Sequence, residues 1–148
     1  MKYSDRWLAA GLMIVGLSTA ACHQVARSHA DESPAKVERV QGSELGRVTL
    51  TERAIQRIGL ETDQVREQRG SRSASPRLIV PYASLIYDPR GETWVYISPQ
   101  PRTFVRFKVV VDYIEGSIVV LKAGPPAGTV VASVGVAELY GTETGVGH

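Results

Sequence analysis

Residues 80–139 constrain the fold more than any other part of the chain. In them, short apolar runs rich in Val, Ile, Tyr and Phe alternate with turn chemistry. The turns are Asp-Pro-Arg-Gly at 88–91, Pro-Gln-Pro at 99–101, Glu-Gly at 115–116 and Gly-Pro-Pro-Ala-Gly at 124–128. Runs of this length and spacing predict an antiparallel β module. Segment 103–111 reads as one strand. Side chains alternate with a period of two, so Val105, Phe107, Val109 and Val111 fall on a packed face and Arg106 and Lys108 on a wet one. Trp94 and Tyr96 share one face of the preceding strand, with Val95 and Ile97 opposite, and the short link at 99–101 makes the two strands neighbours. The 88–91 turn fits type I, with Pro second and a left-handed Gly fourth. The 112–116 segment leads into a strand at 117–122, and the rigid 124–128 connector into one at 129–134.

Order begins upstream at Gly46–Leu50, where Val48 and Leu50 alternate with polar residues as in a strand. Thr51 suits a helix N-cap, Glu52 complements the helix N-terminus, and Gly59 is a natural stop. Between them Ala54, Ile55 and Ile58 form one apolar stripe. A helix of about two turns is too short to stand alone, so it is expected to pack on the sheet. Residues 60–65 resume an extended path. Residues 66–77 break the pattern, with Arg66, Arg69, Arg72 and Arg77 among Gly, Ser and Pro. They read either as a solvated loop or as a basic strip facing anionic lipid headgroups. No aromatic residue is interleaved, which argues against a nucleic-acid stacking platform. Gly141, Gly145 and Gly147 mark residues 141–148 as a flexible tail. The expected fold is mainly β: a small antiparallel β-barrel or roll over residues 46–140, with one short helix.

The 148 residues suffice for one domain and a targeting segment. Residues 1–21 read as an export signal: Lys2 and Arg6 ahead of a short apolar run at 8–17, then small residues to Ala21. That run is too short to span a bilayer comfortably. The ending resembles a bacterial lipobox, with Cys22 as the lipid attachment site. The other outcome is ordinary cleavage near Ala21 with Cys22 a free thiol. Acyl chains on Cys22 would hold the protein at a membrane by about 0.8 kcal/mol per buried methylene. His23, rather than Asp, follows the cysteine and permits transfer to the outer membrane; inner or outer membrane stays open. Residues 22–45 are polar and read as a disordered tether.

Without residues 1–21 the chain keeps 15 basic and 14 acidic residues, a balance that implies no nucleic-acid partner. One cysteine excludes an intramolecular disulfide and a cysteine zinc site. His23, His29 and His148 are either solvated or, as the alternative, ligands of a metal-binding module. Gly-x-Ser-x-Gly, phosphate-loop and dinucleotide patterns are absent from the sequence. Glu92, Glu115 and Glu138 are not paired by any spacing, and a non-enzyme without cofactor is expected. Tyr82, Tyr87, Trp94, Tyr96 and Phe104 form either a binding face or a half-buried sheet.

Several marks, taken in order, resemble one family. They are Val80 and Pro81; the 87–91 hairpin with Trp94, Val95 and Tyr96; Phe104, Val105 and Arg106; Gly124 and Gly128 before Val130 and Val131; and Gly135 with Glu138, Leu139, Tyr140 and Gly141. Together they resemble the C-terminal part of periplasmic adaptor subunits (membrane fusion proteins, HlyD-like) of RND-type tripartite efflux pumps. "RVTLTERAIQRIGLETDQV" is similar to the opening segment of such adaptors. The resemblance implies a membrane-proximal domain made from both ends of the adaptor. In the family a barrel, a lipoyl-like domain and an α-helical hairpin are inserted between these ends. Here only residues 66–77 stand in their place. The implied protein is a periplasmic, membrane-anchored, non-catalytic accessory of export. Its partners would be an RND-type inner-membrane transporter or a full-length adaptor. A periplasmic ligand- or metal-binding module is the alternative.

Overall fold

The structure is a computed structural model and describes residues 33–69 and 75–145. It is mainly β. Among the described residues, eleven strands run in the order β1 Ala35–Arg39, β2 Gly46–Leu50, β3 Glu61–Gln64, β4 Arg66–Arg69, β5 Pro76–Pro81, β6 Ile86–Tyr87, β7 Thr93–Gln100, β8 Thr103–Lys108, β9 Val110–Glu115, β10 Ile118–Ala123 and β11 Val130–Val134. Helix α1, Glu52–Ile58, follows β2, and helix α2, Val136–Thr144, follows β11.

The strands form two antiparallel sheets. The larger has the order β1-β2-β8-β7-β11-β3, with β6 also paired to β7; the smaller has the order β4-β5-β10-β9. Neither sheet closes into a barrel, so a roll of two open sheets replaces the barrel alternative. Pleating places two separate cores on opposite faces of the larger sheet. On one face Val48, Tyr96, Phe104 and Ala132 pack with Ala54 of α1 and Val136 and Leu139 of α2. On the other, Val95 and Val131 pack with Val80, Val119 and Leu121 of the smaller sheet. The larger sheet is thus the middle of three layers.

The chain passes between sheets at four places. Val65, buried between β3 and β4, donates to the Thr129 carbonyl at 2.9 Å and accepts from the Gly128 amide at 2.8 Å. A 3-10 turn at Tyr82–Ser84 returns the chain to the larger sheet. Val109 carries it across again, with its N–H on the Thr93 carbonyl at 2.9 Å and its carbonyl on the Thr93 hydroxyl at 2.7 Å. The 124–128 connector makes the last crossing. The strand expected over 103–111 is therefore two strands in two sheets, bent at Val109, the corner by which such packed sheets share a chain.

The face expected to be wet is covered only in part: Lys108 is 53% exposed, as expected. Arg106 is only 12% exposed, whereas Phe107, on the face expected to pack, is 38% exposed. The alternation was correct in register, but helices cover the side that carries Phe104 and Arg106.

Three boundaries change. Residues 35–39 of the expected tether form β1, which pairs with β2 from Ala35↔Leu50 to Arg39↔Gly46. Residues 66–77 are not one loop: β4 pairs with β5 from Arg66↔Ile79 to Arg69↔Pro76. The expected tail at 141–148 holds the last turn of α2, making two helices rather than one among the described residues. β1 and β4 are edge strands whose side chains are almost all exposed, so they carry no apolar alternation. Their order comes mainly from ladder hydrogen bonds, with Ala35 the one side chain of β1 packed against the core.

The local signals around α1 behave as expected. The Thr51 hydroxyl accepts from the Ala54 amide at 3.2 Å, and Gly59 is left-handed at φ 60°. The 88–91 turn closes with Gly91 N–H on the Asp88 carbonyl at 2.9 Å, and Gly91 has φ 77°.

Candidate functional site

The most concentrated polar chemistry lies between α2 and the larger sheet. Alternation along β7 and β8 turns Trp94, Tyr96, Arg106 and Lys108 toward the helices, and Tyr96↔Arg106 and Trp94↔Lys108 are cross-strand partners. Helical spacing on α2 turns Val136, Leu139, Tyr140 and Glu143 back onto them. The Glu143 side chain is 2% exposed. Its Oε1 accepts from the Gly46 amide at 2.8 Å, and its Oε2 accepts from the Tyr96 hydroxyl at 2.5 Å. Arg106 Nε lies 2.7 Å from the same Oε2. The Arg106 guanidinium stacks 5.1 Å from the Trp94 ring centre and 5.4 Å from that of Tyr140. Trp94 in turn donates its indole N–H to Asp88 Oδ2 at 3.3 Å.

This cluster is a clamp. One carboxylate from the last turn of α2 ties together β2, β7 and β8, and both of its oxygens are engaged by protein donors. Burial, and then the hydrogen bond to Glu143 and its negative charge, push the Tyr96 hydroxyl far above the ordinary tyrosine range. Gly46 is required by the close approach, since a Cβ there would lie 2.7 Å from Glu143 Cγ and 2.9 Å from Val37 Cγ1. A cleft of about 280 Å³, lined by Val37, Arg39, Glu44, Leu45, Gly46 and Glu143, opens beside the clamp.

A larger groove of about 330 Å³ lies between α1 and α2. Leu50, Ala54 and Ile58 form its apolar floor, and Pro34 and Ala35 also line it. Arg53 and Arg57, one turn apart on α1, line one wall; Glu138 and Thr142 of α2 line the other.

Among the described residues, those singled out from sequence do not converge. Cys22, His23, His29 and His148 lie outside the described residues, as do the export signal and the first part of the tether. Tyr96 and Phe104 are buried, Tyr82 and Tyr87 are 49% and 53% exposed, and the Trp94 ring is engaged by Arg106 and Lys108, so the five aromatics make no single face. Glu92 is paired with Lys108. The basic strip is partly neutralised: Arg66 pairs with Asp63 at 2.6 Å and Arg77 with Asp112 at 2.7 Å, while Arg72 lies outside the described residues. Among the described residues no group of three His, Cys, Asp or Glu side chains is placed to hold a metal, and no helix is long and apolar enough to cross a membrane. Glu143 and the Arg53–Arg57 wall were not identified from sequence. The signal for Glu143 was its helical spacing from Val136 and Leu139, outweighed by the glycines around it.

Comparison with known protein families, with curated proteins and with solved structures gave no match.

Proposed function

We propose that the protein is a periplasmic lipoprotein, anchored through Cys22, that resembles the membrane-proximal domain of an RND efflux adaptor. It acts without catalysis, by protein–protein contact, as an accessory of transmembrane export. One observation carries this reading. The two segments that resemble the separated ends of an adaptor are hydrogen-bonded into a single sheet, β2 to β8 and β3 to β11. The β4–β5 hairpin stands where the inserted adaptor domains would leave and return. A domain assembled from two sequence-distant ends, joined by one hairpin, is what removal of those insertions would leave. Without a helical hairpin to reach the outer-membrane channel, the remaining role is contact with the inner-membrane transporter or with a full-length adaptor.

The test is affinity purification of C-terminally tagged protein from gently crosslinked cells, with Cys22 intact. Recovery of an RND-type transporter or an adaptor, crosslinked through the β domain, is the expected result. Recovery of neither, from cells that express a pump, would reject the reading.

A further inference from the structure

We infer that the groove between α1 and α2 binds a small amphiphilic carboxylate. The inference stands apart from the export reading, because it rests only on the shape and charge of the groove. At about 330 Å³ the groove is at the lower end of the range for ligand cavities. At roughly 30 Å³ per water-sized group it holds about ten such groups, the size of a short aliphatic chain. Its floor of Leu50, Ala54 and Ile58 offers such a chain an apolar bed. Arg53 and Arg57 flank that bed one helical turn apart, and among the described residues neither is ion-paired. A guanidinium presents a planar fork of donors that fits a carboxylate bidentately, so this wall suits a carboxylate head group.

The opposite wall sets the orientation. The Thr142 hydroxyl donates to the Glu138 carbonyl at 2.8 Å and is satisfied within the helix. The Glu138 carboxylate repels an anion, which holds the head group on the α1 side. Two cations against one anion also disfavour a cationic amphiphile. A neutral amphiphile would gain the apolar bed but leave the guanidinium pair unused.

Decanoate is the probe, titrated into the ¹⁵N-labelled full chain and followed by amide chemical shifts. The expected result is saturable shifts at Leu50, Ala54, Ile58 and Thr142. Decanol, with the same chain and no charge, should bind at least tenfold more weakly. The double variant R53Q/R57Q should also lose at least tenfold in affinity, and E138Q should bind decanoate more tightly. The decanol comparison uses the unaltered protein, so it decides even where a variant fails to fold. Unmoved groove amides at millimolar decanoate would leave the groove to a protein segment and overturn the inference. Equal affinity for decanol, or undiminished binding by a folded R53Q/R57Q variant, would overturn it as well.

Discussion

Glu143 has no second copy of its role. Its carboxylate neutralises Arg106, accepts from Tyr96 and caps the Gly46 amide, all out of water. Removing one partner of a buried ion pair strands the other, which typically costs 3–5 kcal/mol. E143A is therefore expected to destabilise the domain by about that much, measured by urea unfolding. E143Q keeps one acceptor oxygen, enough for the Gly46 amide, but turns an N–H toward Tyr96 and removes the counter-charge of Arg106; because it still fills the site it should cost less than E143A. If both variants unfold with the wild-type midpoint, the clamp is not structural. Tyr96 adds a pH dependence. Its hydroxyl titrates far above the unfolded value of about 10. The unfolded state therefore loses this proton first as pH rises. The Tyr96 contribution is fully present below pH ~10 and declines above it, by up to about 1.4 kcal/mol per pH unit. Y96F should lose this part of the alkaline decline, seen as a shallower fall in stability between pH 10 and 12 than in wild type.

At the scale of the element, what the sequence made legible is what local chemistry decides. Helix α1 is bounded by the Thr51 cap and left-handed Gly59, both readable from residue type. T51A removes the side-chain acceptor of the Ala54 amide and should cost about 1 kcal/mol, measured as a shift in denaturation midpoint. No shift would mean that packing of Ala54 alone holds the helix. The turn at 88–91 was legible for the same reason. The elements that escaped are those whose order comes from elsewhere. β1 and β4 are polar edge strands and differ from linkers only by their partners. The bend at Val109 was hidden because both cores demand apolar residues, so 103–111 reads as one continuous strand. Arg106 was taken for a solvent-facing residue because no local pattern announces a carboxylate 37 positions later on α2. The groove was missed because its two walls come from helices at opposite ends of the domain. Its Arg53–Arg57 spacing alone was visible.

At the scale of the whole molecule, the decisive feature is how the chain closes on itself. β2 and β3 flank strands that lie far along the sequence, and α2 at the far end is clamped to the start of β2. In the smaller sheet the β4–β5 hairpin forms the join between the two segments. The fold should therefore tolerate lengthening between Arg69 and Ser75. Loop closure costs only about 0.6 kcal/mol per doubling of length. Replacing residues 70–74 with a Gly/Ser linker of about twenty residues is then expected to lower stability by roughly 1 kcal/mol, with unfolding still in one cooperative step. Such tolerance is what a domain related to adaptors would retain, because in adaptors this join carries whole inserted domains. A loss above about 3 kcal/mol, or loss of cooperativity, would mean that the short join braces the two sheets. The hairpin would then be an integral part of this fold, and the adaptor reading would lose its main structural support.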